Sequence, residues 1–228
     1  MKRLALLALA LAALTLPAGA SARIVELGAG ATPDAKPECP EPVRCSALAR
    51  VTGYMGRSGA LKSPFMIPRD GAIVAFTVAV GRPRPIDTQL PFFTRSFGAV
   101  PYVRLSILRR GKKRSRRLDH RLLAQSRRYR VDRYFGSSPT FAFSHPLRVH
   151  RGNIVALTVP TWAPVFATNL PRGNWWRSSR RRGQCEDVSQ HAEQETRGQL
   201  LRYGCTYFGA RLLYTATYIP DPRRTDTR

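Results

Sequence analysis

The chain has 228 residues, with 38 Lys or Arg against 14 Asp or Glu, which gives a formal net charge of +24. Because 43% of its residues are hydrophobic and 9% are aromatic, the composition excludes a disordered polar chain and is typical of a globular protein. The positive charge favours negatively charged partners, such as acidic polymers, lipid headgroups or nucleic acids.

The N-terminal segment, residues 1–22, has the pattern of a secretory signal peptide. Two basic residues precede an apolar run over residues 4–16, and Ala20-Ser21-Ala22 provides the small residues that a signal peptidase requires. The run is shorter than the ~20 apolar residues that cross a bilayer, and no later run approaches that length. We therefore expect export, a mature chain starting at Arg23 with no membrane span, and a secreted or cell-surface location. An uncleaved N-terminal anchor is the alternative.

Four cysteines follow the predicted signal peptide: Cys39, Cys45, Cys185 and Cys205. An even number of cysteines in an exported chain favours disulfides over metal binding. Three pairings are possible in principle, and closeness in sequence favours Cys39–Cys45 and Cys185–Cys205. No histidine stands at zinc-like spacing from a cysteine, so we predict neither a metal site nor a cofactor.

The rest of the chain predicts one all-β domain. Residues 23–46 are a proline-rich extended lead-in with a small disulfide loop, residues 47–219 form the domain, and residues 220–228 form a flexible tail. Apolar runs with strand-like alternation recur, separated by turn residues, at 72–80, 103–107, 141–143, 155–159 and 210–218.

The fold expected from these strands is a single antiparallel β-sandwich, jelly-roll-like, with long loops and at most one short helix. Within the run 72–80, the alternate residues Ala72, Val74, Phe76, Val78 and Val80 are expected to share one face. The segment closest to a helical pattern is Asp187 to Arg197, inside the second disulfide loop.

The most concentrated charge lies between Arg109 and Arg133, where twelve of twenty-five residues are basic. An alternating strand precedes this segment, and Leu122 and Leu123 begin a returning strand, so its first part is predicted to form a hairpin tip. The candidate polyanion-binding residues are Arg109, Arg110, Lys112, Lys113, Arg114, Arg116 and Arg117. Such a field attracts polyanions, and any nucleic acid would be bound without sequence specificity. The alternative is a solvated loop that serves solubility.

All three tryptophans lie in what is predicted to be a long loop between the strand 153–159 and Cys185. The candidate sugar-binding residues are Trp162, Asn174, Trp175, Trp176 and Arg177. Tryptophan faces stack on sugar rings, and Asn and Arg bind hydroxyls or acidic groups. The alternative, which we favour, is a small core under the loop; at most one of Trp175 and Trp176 is expected to be exposed, because neighbours in an extended chain point in opposite directions.

No catalytic residues are predicted. The histidines His120, His145, His150 and His191 form no known motif, although a triad assembled in space from Asp119, His120 and His145 would leave no trace in sequence. The favoured function is a secreted, non-catalytic module that binds an anionic or carbohydrate-rich component outside the cell. The alternatives are an exported structural or assembly protein that pairs with other proteins, and an extracellular hydrolase. The sequence leaves the oligomeric state open.

Overall fold

The computed structural model describes residues 23–30, 35–39, 45–84 and 86–222. The predicted signal peptide, residues 1–22, lies outside the described residues, as do residues 31–34 and 40–44 of the predicted lead-in and residues 223–228 of the predicted tail. Among the described residues, no helix combines the length and apolar character that a membrane crossing requires.

Fifteen strands and one α-helix make up the described fold, together with two single 3-10 turns. In chain order the elements are β1 (Val25–Leu27), β2 (Leu48–Ser58), β3 (Leu61–Lys62), β4 (Gly71–Val78), α1 (Ile86–Phe97), β5 (Tyr102–Arg110), β6 (Asp119–Gln125), β7 (Tyr129–Arg130), β8 (Thr140–Val149), β9 (Ile154–Ala163), β10 (Phe166–Ala167), β11 (Trp175–Ser178), β12 (Leu200–Arg202), β13 (Cys205–Phe208), β14 (Arg211–Leu212) and β15 (Tyr214–Pro220). The 3-10 turns are Arg114–Arg116 and Asp132–Tyr134.

These strands form two antiparallel sheets. The smaller sheet has the order β1-β15-β4-β8, and the larger has the order β12-β6-β5-β9-β2-β11-β13, with β3 and β7 as additional short partners. Strands β10 and β14 form a separate two-stranded ribbon. The predicted all-β, antiparallel sandwich is therefore confirmed. The predicted lead-in, in addition, contributes β1, which pairs with β15 at the edge of the smaller sheet.

The main core lies between the two sheets and takes residues from both. In the smaller sheet, Phe76 and Tyr218 are fully buried, and in the larger sheet Leu105 and Leu157 are buried against them in the same cluster. The Phe65 and Tyr214 rings are stacked 4.1 Å apart, and the Tyr214 hydroxyl donates to the Val155 carbonyl. The apolar side chains of the alternating strands thus face inward on both sheets, as the burial of hydrophobic side chains requires.

A β-bulge changes the predicted face of β4. The register between β4 and β8 shifts between Ile73 and Ala75. The register between β4 and β15 shifts at the same place, because the consecutive residues Thr217 and Tyr218 pair with Ala75 and Ile73. As a result Ile73 joins Phe76 and Val78 in the core, whereas Ala72 and Val74 are only partly buried. The expected strict alternation from Ala72 was therefore wrong in its first half, since a bulge inserts one residue and exchanges the two faces.

The helix lies in a different segment from the one that the sequence favoured. Residues 187–197 are not helical, because their backbone donors bind the larger sheet: the Ala192 N–H donates to the Arg50 carbonyl, and the Gln194 N–H donates to Thr52 Oγ1. The helix is α1, which contains Pro91, a residue that argues against helix in a sequence. Packing stabilises it, since Phe93 stacks on Trp162 with the ring centroids 4.7 Å apart.

Both predicted disulfides, Cys39–Cys45 and Cys185–Cys205, are confirmed, and no free cysteine remains among the described residues. They close loops that differ in length, with sequence separations of 6 and 20.

Removing the longer bridge is expected to destabilise the protein more. The chain-entropy model predicts that Cys185→Ser with Cys205→Ser lowers the free energy of unfolding by about 1 kcal/mol more than Cys39→Ser with Cys45→Ser, because a longer loop restricts the unfolded chain more. Denaturant unfolding of the two double variants measures the difference. Equal losses, or a larger loss for the shorter bridge, would show that loop length does not govern these two bridges.

Candidate functional site

The basic segment forms a hairpin, as its sequence pattern predicts. Strands β5 and β6 pair antiparallel, with Arg110 opposite His120, and residues 111–118 connect them. The turn folds back tightly at Gly111: a Cβ at this position would lie 2.2 Å from the carbonyl oxygen of Arg116. Only glycine permits this approach, which returns Arg117 to the side of the hairpin where Arg110 lies.

All seven candidate polyanion-binding residues are exposed, and they divide into two groups. Arg110 and Arg117 line a cleft at the base of the hairpin. The others project from the end of β5 or from the hairpin tip, which we define as residues 112–116. The tip contains no acidic residue, so its positive charge is not neutralised locally.

Three of the five candidate sugar-binding residues are buried. Trp162 lies within β9, is fully buried and packs against α1, and its indole N–H donates to the Gly98 carbonyl at 3.0 Å. Trp176 is stacked on Tyr207 at 4.4 Å between the sheets. Asn174 is also buried, and its Oδ1 accepts from the Gly59 N–H. These three side chains are buried and therefore not available to a sugar. The prediction of one long loop after residue 159 was wrong at two places, because β9 continues to Ala163 and β11 occupies Trp175–Ser178.

Trp175 and Arg177 remain, and β-strand alternation places both on the outer face of the larger sheet. Trp176 and Ser178 face the other side, where Gly53 leaves room for the Trp176 ring. Trp175 in turn lies against Gly56 of β2: a Cβ at this glycine would be 1.9 Å from the indole ring. Each tryptophan ring thus packs over a glycine of β2, and the prediction that at most one of the two would be exposed agrees with this arrangement.

The basic hairpin and β11 meet at one cleft of about 270 Å³. Its polar and aromatic lining consists of Tyr54, Ser63, Arg110, Arg117, Trp175 and Arg177, and the other lining residues are Met55, Gly56, Met66, Leu118 and Ile154. We call it the Arg–Trp cleft. No described residue that lines it is acidic. Two segments that are more than fifty residues apart in sequence therefore provide one positively charged cavity with an aromatic wall.

The arginines of the cleft have no acidic partner among the described residues. The arginines that form ion pairs within the described residues are others: Glu195 binds Arg104 and Arg128, Asp132 binds Arg130, Asp221 binds Arg148 and Asp119 binds Arg202. Arg177 packs beside Trp175, with the guanidinium carbon 5.8 Å from the ring centroid. Its Nε atom is buried and lacks a hydrogen-bond partner in the described part of the chain. An anion entering the cleft would meet unneutralised guanidinium groups.

Tyr54 and His120 form a buried polar pair beside the cleft. His120 Nδ1 lies 2.8 Å from the Leu118 carbonyl, which can only accept, so Nδ1 carries the proton. His120 Nε2 then accepts from the Tyr54 hydroxyl at 3.1 Å. The pKa of His120 is lowered to about 4, mainly by burial, and the nearby charges of Arg110 and Arg177 contribute to this lowering. Burial also raises the pKa of Tyr54, against the opposing effect of the same two arginines.

The structure does not assemble the triad considered for Asp119, His120 and His145. His120 binds Tyr54 and the Leu118 carbonyl, while Asp119 binds Arg202. His145 lies 3.2 Å from the hydroxyl of its neighbour Ser144 on an exposed stretch of β8. No group of three or more metal-binding side chains occurs within the described ranges.

Two contributors to the cleft, Tyr54 and Gly56, escaped the sequence analysis because β2 was not predicted. A signal was present, since Val51, Thr52 and Tyr54 favour strands. Their role nevertheless depends on β2 pairing with β11, which sequence spacing does not specify.

Comparison of the chain with protein-family models, with curated proteins and with solved structures gives no match.

Proposed function

We propose that this protein is an exported, non-catalytic module that binds an anionic glycan, with an acidic sugar unit held in the Arg–Trp cleft. The observation that carries this proposal is the convergence of Arg110 and Arg117 from the basic hairpin with Trp175 and Arg177 from β11. The two disulfides are in keeping with an oxidising compartment outside the cytoplasm.

The chemistry of the cleft suits a charged ring. Guanidinium groups bind carboxylates or sulfates through two parallel hydrogen bonds, which are stronger than bonds between neutral groups. The Trp175 ring offers an apolar face on which the C–H face of a pyranose can stack, while the hydroxyls of the pyranose remain free for polar contacts. An uncharged sugar would leave the guanidinium groups without compensation, so the cleft favours an acidic unit over a neutral one.

The hairpin tip has a different role in this proposal. Its lysines and arginines are exposed and have no acidic neighbour within the tip, so they extend a positive field into solvent. Such a field accelerates the approach of a polyanion and weakens as salt rises. The tip therefore contributes to attraction at low salt, whereas the cleft contributes the contacts that persist at higher salt.

The proposal predicts that cleft variants and tip variants behave differently towards polygalacturonate. The double variant Arg110→Gln with Arg177→Gln is expected to weaken binding by about 100-fold at ~0.15 M salt. Each of the two substitutions removes a charge-assisted hydrogen bond worth roughly 1.4 kcal/mol or more. Arg114→Glu with Arg116→Glu should mainly flatten the dependence of affinity on salt. Isothermal titration over a salt series measures both effects.

Two controls make this experiment specific. Arg133→Gln with Arg182→Gln removes the same charge from exposed positions outside the cleft and should bind nearly as the wild type does. Fully methyl-esterified polygalacturonate has the same rings without their charge and should bind weakly to every variant. Unchanged binding by the cleft variant, or equal binding of the esterified polymer, would contradict the proposal.

A further inference from the structure

Next to the Arg–Trp cleft, Phe208 exposes a large aromatic ring that the core does not use. Its side chain is 57% exposed and lies on β13, at the free edge of the larger sheet. Trp175 and Phe208 are directly opposite each other in the pairing of β11 with β13, and their ring centroids are 6.4 Å apart. The neighbouring Tyr207 faces inward, where it stacks on Trp176, so Phe208 must face outward on the same side as Trp175.

The arrangement of an aromatic ring with a guanidinium group occurs twice on this surface. Arg177 lies 5.8 Å from the Trp175 ring centroid, and Arg172 lies 5.7 Å from the Phe208 ring centroid. The segment that holds Arg172 is fixed against the end of β13, because the Leu170 N–H donates to the Gly209 carbonyl and the Gly209 N–H donates to the Asn174 carbonyl. The backbone on both sides of Arg172 is therefore held beside the end of β13.

Each of the two units combines a ring face with a positive charge, which is the combination that an acidic pyranose requires. The two ring centroids are 6.4 Å apart, so the two units adjoin each other on one surface. A single acidic sugar would occupy the Trp175 unit and leave the Phe208 unit empty. A chain of acidic sugars would cover both, and it could continue beyond β13 because no strand follows at that edge in the described fold.

We propose that the ligand is an oligosaccharide of at least two acidic units, with one unit in the Arg–Trp cleft and the next on Phe208. Arg172 binds the carboxylate or sulfate of the second unit, and Phe208 supports its ring. This inference rests on the proposed function, because it extends the site in the cleft to a neighbouring subsite. It specifies in addition the minimum length of the ligand and the direction in which the chain leaves the cleft, towards the β13 edge.

The test is a length series of galacturonate, digalacturonate and trigalacturonate, titrated by NMR into the full mature chain. For the wild type, affinity is expected to rise about tenfold from one unit to two, since a second ring contact and a second ion pair form. In Phe208→Ala and in Arg172→Gln, the affinity for the single unit should stay unchanged and most of the gain from the second unit should disappear.

Matched controls are available on the same protein. Phe92→Ala removes a comparably exposed phenylalanine from α1, and Arg133→Gln removes an exposed arginine outside the cleft; both should retain the full gain. Circular dichroism on heating checks that each variant folds, which is expected because Phe208 and Arg172 are exposed.

The outcomes separate this inference from the proposed function. If the wild type binds one unit as tightly as two, or if Phe208→Ala keeps the gain, the second subsite is overturned while the cleft remains a sugar site. If none of the three ligands binds the wild type, the proposed function fails and the second subsite fails with it.

Discussion

Replacing Trp176 by alanine should lower the free energy of unfolding by about 3–5 kcal/mol, whereas replacing the adjacent Trp175 should lower it by under ~2 kcal/mol. Trp176 is 2% exposed and stacks on Tyr207 within the main core, so its removal leaves a large cavity between the sheets. Trp175 is half-buried on the outer face, where Gly56, Arg177 and Phe208 lie beside it. Denaturant unfolding of the two single variants measures the difference.

Binding measurements should give the opposite order for the same two variants. Trp175→Ala is expected to weaken the binding of trigalacturonate, while a folded variant at position 176 should bind as the wild type does. Trp176→Phe serves as that variant: it retains a ring against Tyr207 and removes an indole N–H that has no partner among the described residues. Equal stability losses for the two alanine variants would contradict the assignment of the two rings to opposite faces of β11.

Acid should destabilise the folded protein through His120, by about 3 kcal/mol between pH 6.5 and pH 4. The pKa of His120 is about 4 in the folded protein, below its ordinary value of 6.5, because burial disfavours the charged ring. The unfolded chain therefore binds the proton more tightly in this interval. The stabilisation associated with neutral His120 is complete above pH 6.5 and is lost as the pH falls towards 4.

The neighbours of His120 explain why protonation is unfavourable. Its Nε2 accepts a hydrogen bond from the Tyr54 hydroxyl, and a protonated Nε2 can no longer accept this bond. Tyr203 packs against the His120 ring, with the ring centroids 4.4 Å apart. Arg110 and Arg177 add positive charge nearby, and these effects together with burial outweigh the hydrogen bond to the Leu118 carbonyl and the charge of Asp119, which both raise the pKa of His120.

The experiment compares the wild type with His120→Asn, which can still donate to the Leu118 carbonyl but does not titrate. Denaturant unfolding at pH 7, 5.5 and 4 gives the free energy of unfolding for each protein. The variant is expected to be less stable at pH 7, and the gap should narrow as the pH falls. Carboxylates that titrate in the same range affect both proteins alike and cancel in the difference. A constant gap at the three pH values would show that His120 does not titrate in this way.

The sequence by itself determined features that depend on local or compositional constraints. Alternation of apolar residues identified strands such as β5 and β9, and the resulting sandwich is confirmed. The cysteine spacing was sufficient for both bridges, because residues close in sequence meet at little entropic cost. The hairpin position of residues 109–117 followed from a strand, a run of basic residues and a returning strand.

Only the tertiary structure decided which residues share a surface. The sequence placed Trp162, Trp175 and Trp176 in one loop, but α1 covers Trp162, and pairing of β11 with β2 and β13 sends Trp175 outward and Trp176 inward. The bulge in β4 and the helix over Pro91 were likewise not predicted, because both depend on packing against distant segments. Strand propensity and alternation act over a few residues, whereas the Arg–Trp cleft requires β2, β11 and the hairpin to meet across more than a hundred residues of chain. Long-range pairing and burial decide this arrangement, and no local pattern encodes it.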